Sequence, residues 1–206
     1  SHTITGMEIS EVNNASSFLY ADDSEGEKPV GFVCTNFGSV HDLSLDQIKV
    51  YSNSDKVGAF CGVNVCSYDD AAGTLYNLEV LSSGEDKDKA SSVTGKEHVG
   101  GIVGYLQGIN DTSLNGSTLP AIELSNLKNE AKVTGIKYIG GIVGEVRTPH
   151  NTQVSVTITD CENKGAVYAR TKVGTNNVDA KKCGFIGGIT GYAANMYEAG
   201  DGSKNT

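Results

Sequence analysis

Apolar and polar positions alternate along this chain in short runs separated by turn-forming residues. Leu43 Ser44 Leu45 Asp46 Gln47 Ile48 Lys49 Val50, Leu75 Tyr76 Asn77 Leu78 Glu79 Val80, Ile122 Glu123 Leu124 Ser125 Asn126 Leu127 and Val154 Ser155 Val156 Thr157 Ile158 Thr159 Asp160 Cys161 have the length and alternation of strands. Within these runs the alternation slips by one place, which a bend or bulge produces. Shorter strands are expected at 131–135 and 165–169. The polar stretches 82–92, 108–117 and 172–182 show no helical spacing of apolar residues and are expected to be loops.

Between these runs a glycine-rich phrase returns five times: Val30 Gly31 Phe32 Val33 Cys34 Thr35, Val57 Gly58 Ala59 Phe60 Cys61 Gly62, Val99 Gly100 Gly101 Ile102 Val103 Gly104, Ile139 Gly140 Gly141 Ile142 Val143 Gly144 and Ile186 Gly187 Gly188 Ile189 Thr190 Gly191. The starts lie 27, 42, 40 and 47 residues apart, the period range of repeat architectures. Read as one strand, the third phrase would place Val99, Gly101 and Val103 on one face and Gly100, Ile102 and Gly104 on the other. An aliphatic row would then face a narrow core, while the glycines permit a turn or a close approach of backbones. Stacking the copies would align Ile102, Ile142 and Ile189 in one ladder and Val99, Ile139 and Ile186 in another. Each unit is expected to run from glycine phrase to loop, strand, Asn or Gly turn, second strand and the next phrase.

Units of this kind cannot bury their apolar side alone, so they must stack or close radially. The expected fold is all-β, a parallel β-helix-like solenoid of about five Gly-rich repeats over residues 30–198. A β-propeller-like array is the alternative, disfavoured because the chain has no Trp and only five Phe. Residues 1–29 are expected to be an irregular segment or partial cap, with Met7, Ile9 and Val12 as an edge strand or partial first turn. Residues 199–206 are expected to fray.

Composition narrows the partners. Sixteen basic against 25 acidic residues give a net charge of −9, and no basic run exceeds two residues, which disfavours a nucleic-acid partner. No apolar stretch is long enough for membrane insertion. The five cysteines, Cys34, Cys61, Cys66, Cys161 and Cys183, form no metal-binding CxxC pair. Cys61 and Cys66 would close a local disulfide only if the chain turned between them, whereas Cys34 and Cys61 occupy matching places in the phrase and read as small core fillers. A start at Ser1 His2 Thr3, with no initiator Met, points to a processed or excised piece of a larger protein.

The third, fourth and fifth phrases resemble the GLUG repeat family, and Cys161 Glu162 Asn163 Lys164 Gly165 Ala166 Val167 resembles the segment that separates such phrases. The resemblance spans roughly residues 30–198 and is strongest from 95 to 192. It weakens in the first two copies, where Thr35 replaces the closing Gly and Phe32 or Ala59 the second Gly. Members of that family occur in large secreted or surface-anchored bacterial proteins, adhesin-like proteins among them, and beside the catalytic region of immunoglobulin A peptidases. The resemblance implies a secreted or cell-surface location and a scaffolding or adhesive role. It carries over no catalytic residue.

Candidate chemistry is sparse. The histidines, His2, His41, His98 and His150, form no H-E-x-x-H pair, and His98 beside Glu97 reads as a turn residue before a phrase. A carbohydrate-active β-helix enzyme would need convergent carboxylates, for which Asp69, Asp70, Glu85, Asp86 and Asp88 are the available groups. Their place in hydrophilic stretches favours solvated loops. No cofactor is expected; calcium is the one ion the acidic stretches, including Asp22 and Asp23, have ligands for, though without a known calcium-loop spacing. Tyr105 and Tyr192 follow the last Gly of matching phrases, with Glu145 at that place in the fourth copy, and Tyr138 and Tyr168 lie near turns. These four tyrosines are the ligand-binding candidates, because a tyrosine offers a flat apolar face and a polar tip to a sugar or protein. Capping the core is the competing role. The expected function is a non-catalytic structural or adhesive module of a bacterial surface protein that binds a host protein or surface glycan through side loops. The alternatives are the enzyme above and a passive stalk.

Overall fold

A computed structural model describes residues 2–10, 28–65, 73–108, 121–149, 155–170, 172–173, 176–177 and 184–196. Strands dominate, and among the described residues no helix is long and apolar enough to cross a membrane. The chain winds through five coils that contribute in order to four sheets, here called A, B, C and D, the first coil meeting sheet C only through an isolated Val30–Val57 bridge. The third coil shows the plan: Thr74–Leu81 in sheet A, Ser92–Thr94 in B, Glu97–Gly100 in C and Val103–Gln107 in D. The fourth repeats it with Ile122–Asn129, Lys132–Gly135, Lys137–Gly140 and Val143–Pro149. Pairing between coils is parallel throughout these four sheets, so the solenoid, not a propeller of antiparallel blades, is the fold.

Residues 2–10 already belong to the stack. His2–Thr5 pairs with Ser39–Asp46 in sheet A, and Glu8–Ser10 with Lys49–Tyr51 in sheet B. Met7 and Ile9 pack against the core, Ile9 within the strand Glu8–Ser10, whereas Val12 lies outside the described residues. The stretches 109–120 and 178–183, the acidic pairs at 22–23 and 69–70, Cys66 with its proposed bond to Cys61, and the 199–206 tail also lie outside them.

The core is a column of aliphatic ladders. Leu75, Leu78, Leu124 and Leu127 from sheet A, Val93 and Val133 from B, Val99 and Ile139 from C, and Val103 and Val143 from D are all fully buried. The slip in the sheet A runs has a backbone cause. Asp42, Asn77, Asn126 and Asp160 stand one above another in left-handed conformation, at φ 56°, 53°, 51° and 52°. One such residue per strand lets Leu75 and Leu78, three places apart, both point inward. Asx side chains tolerate this conformation best, which explains their recurrence.

The glycine phrase is not one strand. It breaks into the end of sheet C, a bend at 101–102 and the start of sheet D, so a single two-faced alternation does not apply. Both expected ladders survive because the register does. Val99, Ile139 and Ile186 are direct partners, and Ile102 N donates to Ile142 O as Ile142 N does to Ile189 O. Glycine is demanded by backbone contact: a Cβ on Gly100 would lie 1.8 Å from Val103 O, and one on Gly144 2.5 Å from Val99 N. Sheets C and D therefore meet backbone to backbone.

Cys61 fills the place in sheet D that Val103 and Val143 take in later coils, and burial pushes its thiol up to about 12. The matching role does not hold for Cys34, which is exposed on the outer strand Val33–Asn36. Val33, its neighbour, is the residue in register with Cys61.

Candidate functional site at the corner of sheets C and D

The close approach of sheets C and D collects most of the aromatic and charged chemistry of the chain. Just before the phrase glycines, His98, Tyr138 and Phe185 occupy one place on successive coils, all with left-handed backbone at φ 41°, 53° and 59°. Their rings form a stack, with centroids 5.0 Å apart for His98 and Tyr138 and 5.2 Å for Tyr138 and Phe185. In sheet D, Tyr105, Glu145 and Tyr192 are direct register partners, above Val63 and Thr35. Tyr105 meets His98 edge-on at 5.1 Å, and Tyr192 meets Phe185 edge-on at 5.0 Å. Stacked and edge-on pairs each add about 0.5–1.5 kcal/mol beyond burial, and this offsets the strain of left-handed aromatic residues.

Glu145 lies between the two tyrosines with its side chain fully buried. Its two oxygens face different partners: Oε2 pairs with His98 Nδ1, and Oε1 accepts from Arg147 Nε. Burial by itself would raise the carboxyl, but the hydrogen bond and charge of His98, followed by those of Arg147, hold it below the ordinary 4.5. Two lysines lie over the rings outside, Lys56 Nζ 5.4 Å from the Tyr105 centroid and Lys137 Nζ 4.3 Å from that of Tyr138. Burial also pushes the Tyr105 hydroxyl up, against the pull of Arg147.

Three of the four candidate tyrosines therefore come together. Tyr105 is 9 % exposed and Tyr138 8 %, while Tyr192 is half-buried. Tyr105 and Tyr192 do share a face, but as members of a packed corner. Tyr168 is elsewhere, on the outward side of sheet B, 52 % exposed with Lys132 Nζ 5.2 Å from its centroid. The sequence reading missed His98, Phe185 and Arg147 as members of the corner. Their signal was in the phrases: His98, Tyr138 and Phe185 each precede an aliphatic-Gly pair by one place, as Lys56 does in the second copy.

The corner offers one carboxylate with both oxygens engaged, an arrangement suited to packing and charge neutralisation. Acid–base chemistry on a glycosidic bond requires two carboxyl groups facing a common space. Glu85, Asp86 and Asp88 lie on one exposed excursion, where Asp86 accepts from Asp88 N at 3.0 Å and pairs with Lys89 at 3.9 Å. Among the described residues no three His, Cys, Asp or Glu side chains converge as a metal site would require.

No model of a known protein family matches the chain, and no curated protein sequence matches it. Among solved structures the chain has a distant likeness to a crystal structure named "putative immunoglobulin A1 protease" from Bacteroides ovatus. The match covers 95 % of this chain and 67 % of that one, at 12 % identity and a TM-score of 0.39.

Proposed function

We propose that this chain is a non-catalytic structural or adhesive module of a bacterial surface protein, a solenoid of the GLUG type that engages a host protein or surface glycan. The observation that carries the reading is how the buried chemistry is used. Glu145 is paired with Arg147 and His98 beneath stacked rings, and the glycines of the phrase serve backbone contact. Variation between coils is left to the excursions. The best described of these, 82–91, is stitched at its base: Gln47 Nε2 donates to Ser83 O, Ser83 N to Asp46 Oδ1 and Ser82 N to Glu130 Oε2. A held base with a polar, exposed tip suits recognition.

The test is an array of host extracellular proteins and surface glycans probed with the whole chain and with a variant whose 84–89 tip is replaced by a short Gly-Ser link. Binding that is lost with the tip is the expected result. A silent array for this chain, alongside binding by a longer parent, would leave only the passive stalk.

A further inference from the structure

We propose that the outward side of sheet B is a binding face for an acidic oligosaccharide lying along the solenoid axis. The proposal rests on the adhesive reading but moves the contact from the side loops to a sheet. Tyr51, Thr94, Thr134 and Tyr168 are successive register partners in four coils and form one outward row. The two tyrosines are three strand spacings apart, about 14 Å, the reach of about three linked pyranose rings. Both present their rings to solvent, Tyr51 at 38 % and Tyr168 at 52 %. Unlike the rings of the C–D corner, they sit in the middle of a face and not against a neighbouring sheet.

The adjoining outward row supplies the charge. Lys49 and Lys132 flank Ser92 in register, and the Lys132 ammonium lies over the Tyr168 ring. Glu8 closes this row in the first coil, opposite Lys49. From the second coil to the fifth, the outward positions of the sheet B strands carry these two lysines and no carboxylate. In a chain with a net charge of −9, that is a local reversal of sign. Two platforms for the apolar faces of sugar rings, threonine hydroxyls between them and lysines alongside match an extended sugar chain bearing carboxylates or sulfates.

The experiment titrates the whole chain with oligogalacturonates of two to five residues, hyaluronan and chondroitin sulfate oligomers, neutral cello-oligosaccharides and oligothymidylate, following amide shifts and heats of binding. Affinity for at least one acidic series should rise with length until the chain spans both tyrosines. Neutral chains and oligothymidylate should bind about tenfold more weakly or worse. Tyr51→Ala and Tyr168→Ala should each lose about tenfold, with thermal unfolding unchanged because both rings point outward. Lys132→Met should lower affinity for acidic chains and flatten its salt dependence. Shifts should map to 49–51, 92–94, 132–134 and 167–169. Wild-type affinity in both tyrosine variants, equal binding of neutral chains or oligothymidylate, or no binding of any acidic oligomer would overturn this face. Shifts confined to 82–91 would overturn it too while leaving the side-loop reading intact, and only a silent array removes that reading.

Discussion

The lower and upper coils turn their corners with opposite chemistry. Where sheet D passes into sheet A, one ladder reads Asn36, Asn64, Leu106, Val146 and Ala193 from the first coil to the fifth. Where sheet A passes into sheet B, another reads Ile4, Leu45, Val80, Asn129 and Asn163. The amide moves from one corner to the other halfway up, and the third coil, Leu106 and Val80, has aliphatic side chains at both.

Asn36, Asn64 and Asn129 are buried and Asn163 half-buried, and they tolerate this because each amide can be satisfied locally and by its neighbour. Asn36 Nδ2 donates to Gly38 O at 3.0 Å and to Asn64 Oδ1 at 2.8 Å, and Asn64 Nδ2 donates to Gly73 O at 2.7 Å. Asn129 does the same at the other corner, exchanging bonds with both backbone groups of Ala131 and donating to Asn163 Oδ1 at 2.8 Å. The upper amides, together with the carbonyl of the next coil's glycine, also crowd the second glycine of the phrase, where a Cβ on Gly101 would lie 2.1 Å from Gly141 O. A Cβ on Gly101 would meet Asn129 Cγ at 2.5 Å, and one on Gly141 would meet Asn163 Cγ at 2.3 Å. In the first two coils, where the A–B corner is aliphatic, Phe32 and Ala59 stand in that place. The two departures from the phrase are thus one change seen at two positions.

This contrast is open to direct attack, and the largest effect should come from the glycine. Gly141→Ala puts a Cβ 2.1 Å from Gly188 O as well as against Asn163, so it should cost about 3 kcal/mol or more, read as a lowered urea midpoint at unchanged slope. Gly188→Ala, the same residue one coil up, meets nothing within 4 Å and should stay within about 0.5 kcal/mol. Equal losses for the two would mean that glycine is required by the phrase itself and not by the coil stacked on it.

Asn129→Ala should follow at about 2 kcal/mol, since it strands the Ala131 backbone groups and the Asn163 oxygen in a buried corner. Asn126→Gly keeps the left-handed backbone unstrained, removes an exposed amide that donates to Asn77 Oδ1 and should cost less than half as much. A similar loss from both would dissolve the distinction between the corner ladder and the surface ladder.

The smallest of the three main losses should be at Glu145, which the lower coils replace by Thr35 and Val63. Glu145→Gln should cost about 1–2 kcal/mol at neutral pH, where the charge-assisted bond from Arg147 and the contact with His98 are both in place. The carboxyl is held below 4.5 in the folded chain, so its contribution is full above that pH and disappears as pH falls through the lowered value. Acid titration of unfolding should therefore show a loss of stability in the parent that is shallower in the Gln variant. Identical acid slopes would place the pH dependence in other carboxylates.

Much of the solenoid was legible because its repeat imposes a period on the residues. The strand runs in sheet A, the number of phrases and both aliphatic ladders follow from the spacing. The sheet A slip was visible as well, although only the backbone shows that a left-handed Asp or Asn causes it. The site was less legible. Tyr105, Glu145 and Tyr192 could be aligned by their place after the phrase, and the structure does put them in one ladder. Their burial was not readable, because it comes from a different sheet. Gly104 and Gly144 bring sheet D onto the backbone at His98, and this drops the rings of one sheet onto those of the other.

By itself, the sequence determined that the chain repeats, that its repeats are built of strands and that aliphatic residues at matching places must stack. Those are properties of single positions recurring at a period, and each coil repeats them. Only the tertiary structure decided which residues face each other across a corner. The pairing of Gly101 with Asn129, the burial of Glu145 beside His98 and Arg147 and the separation of Tyr168 from the other tyrosines depend on distances between different sheets. Those distances are set by backbone packing, which no spacing along the chain records.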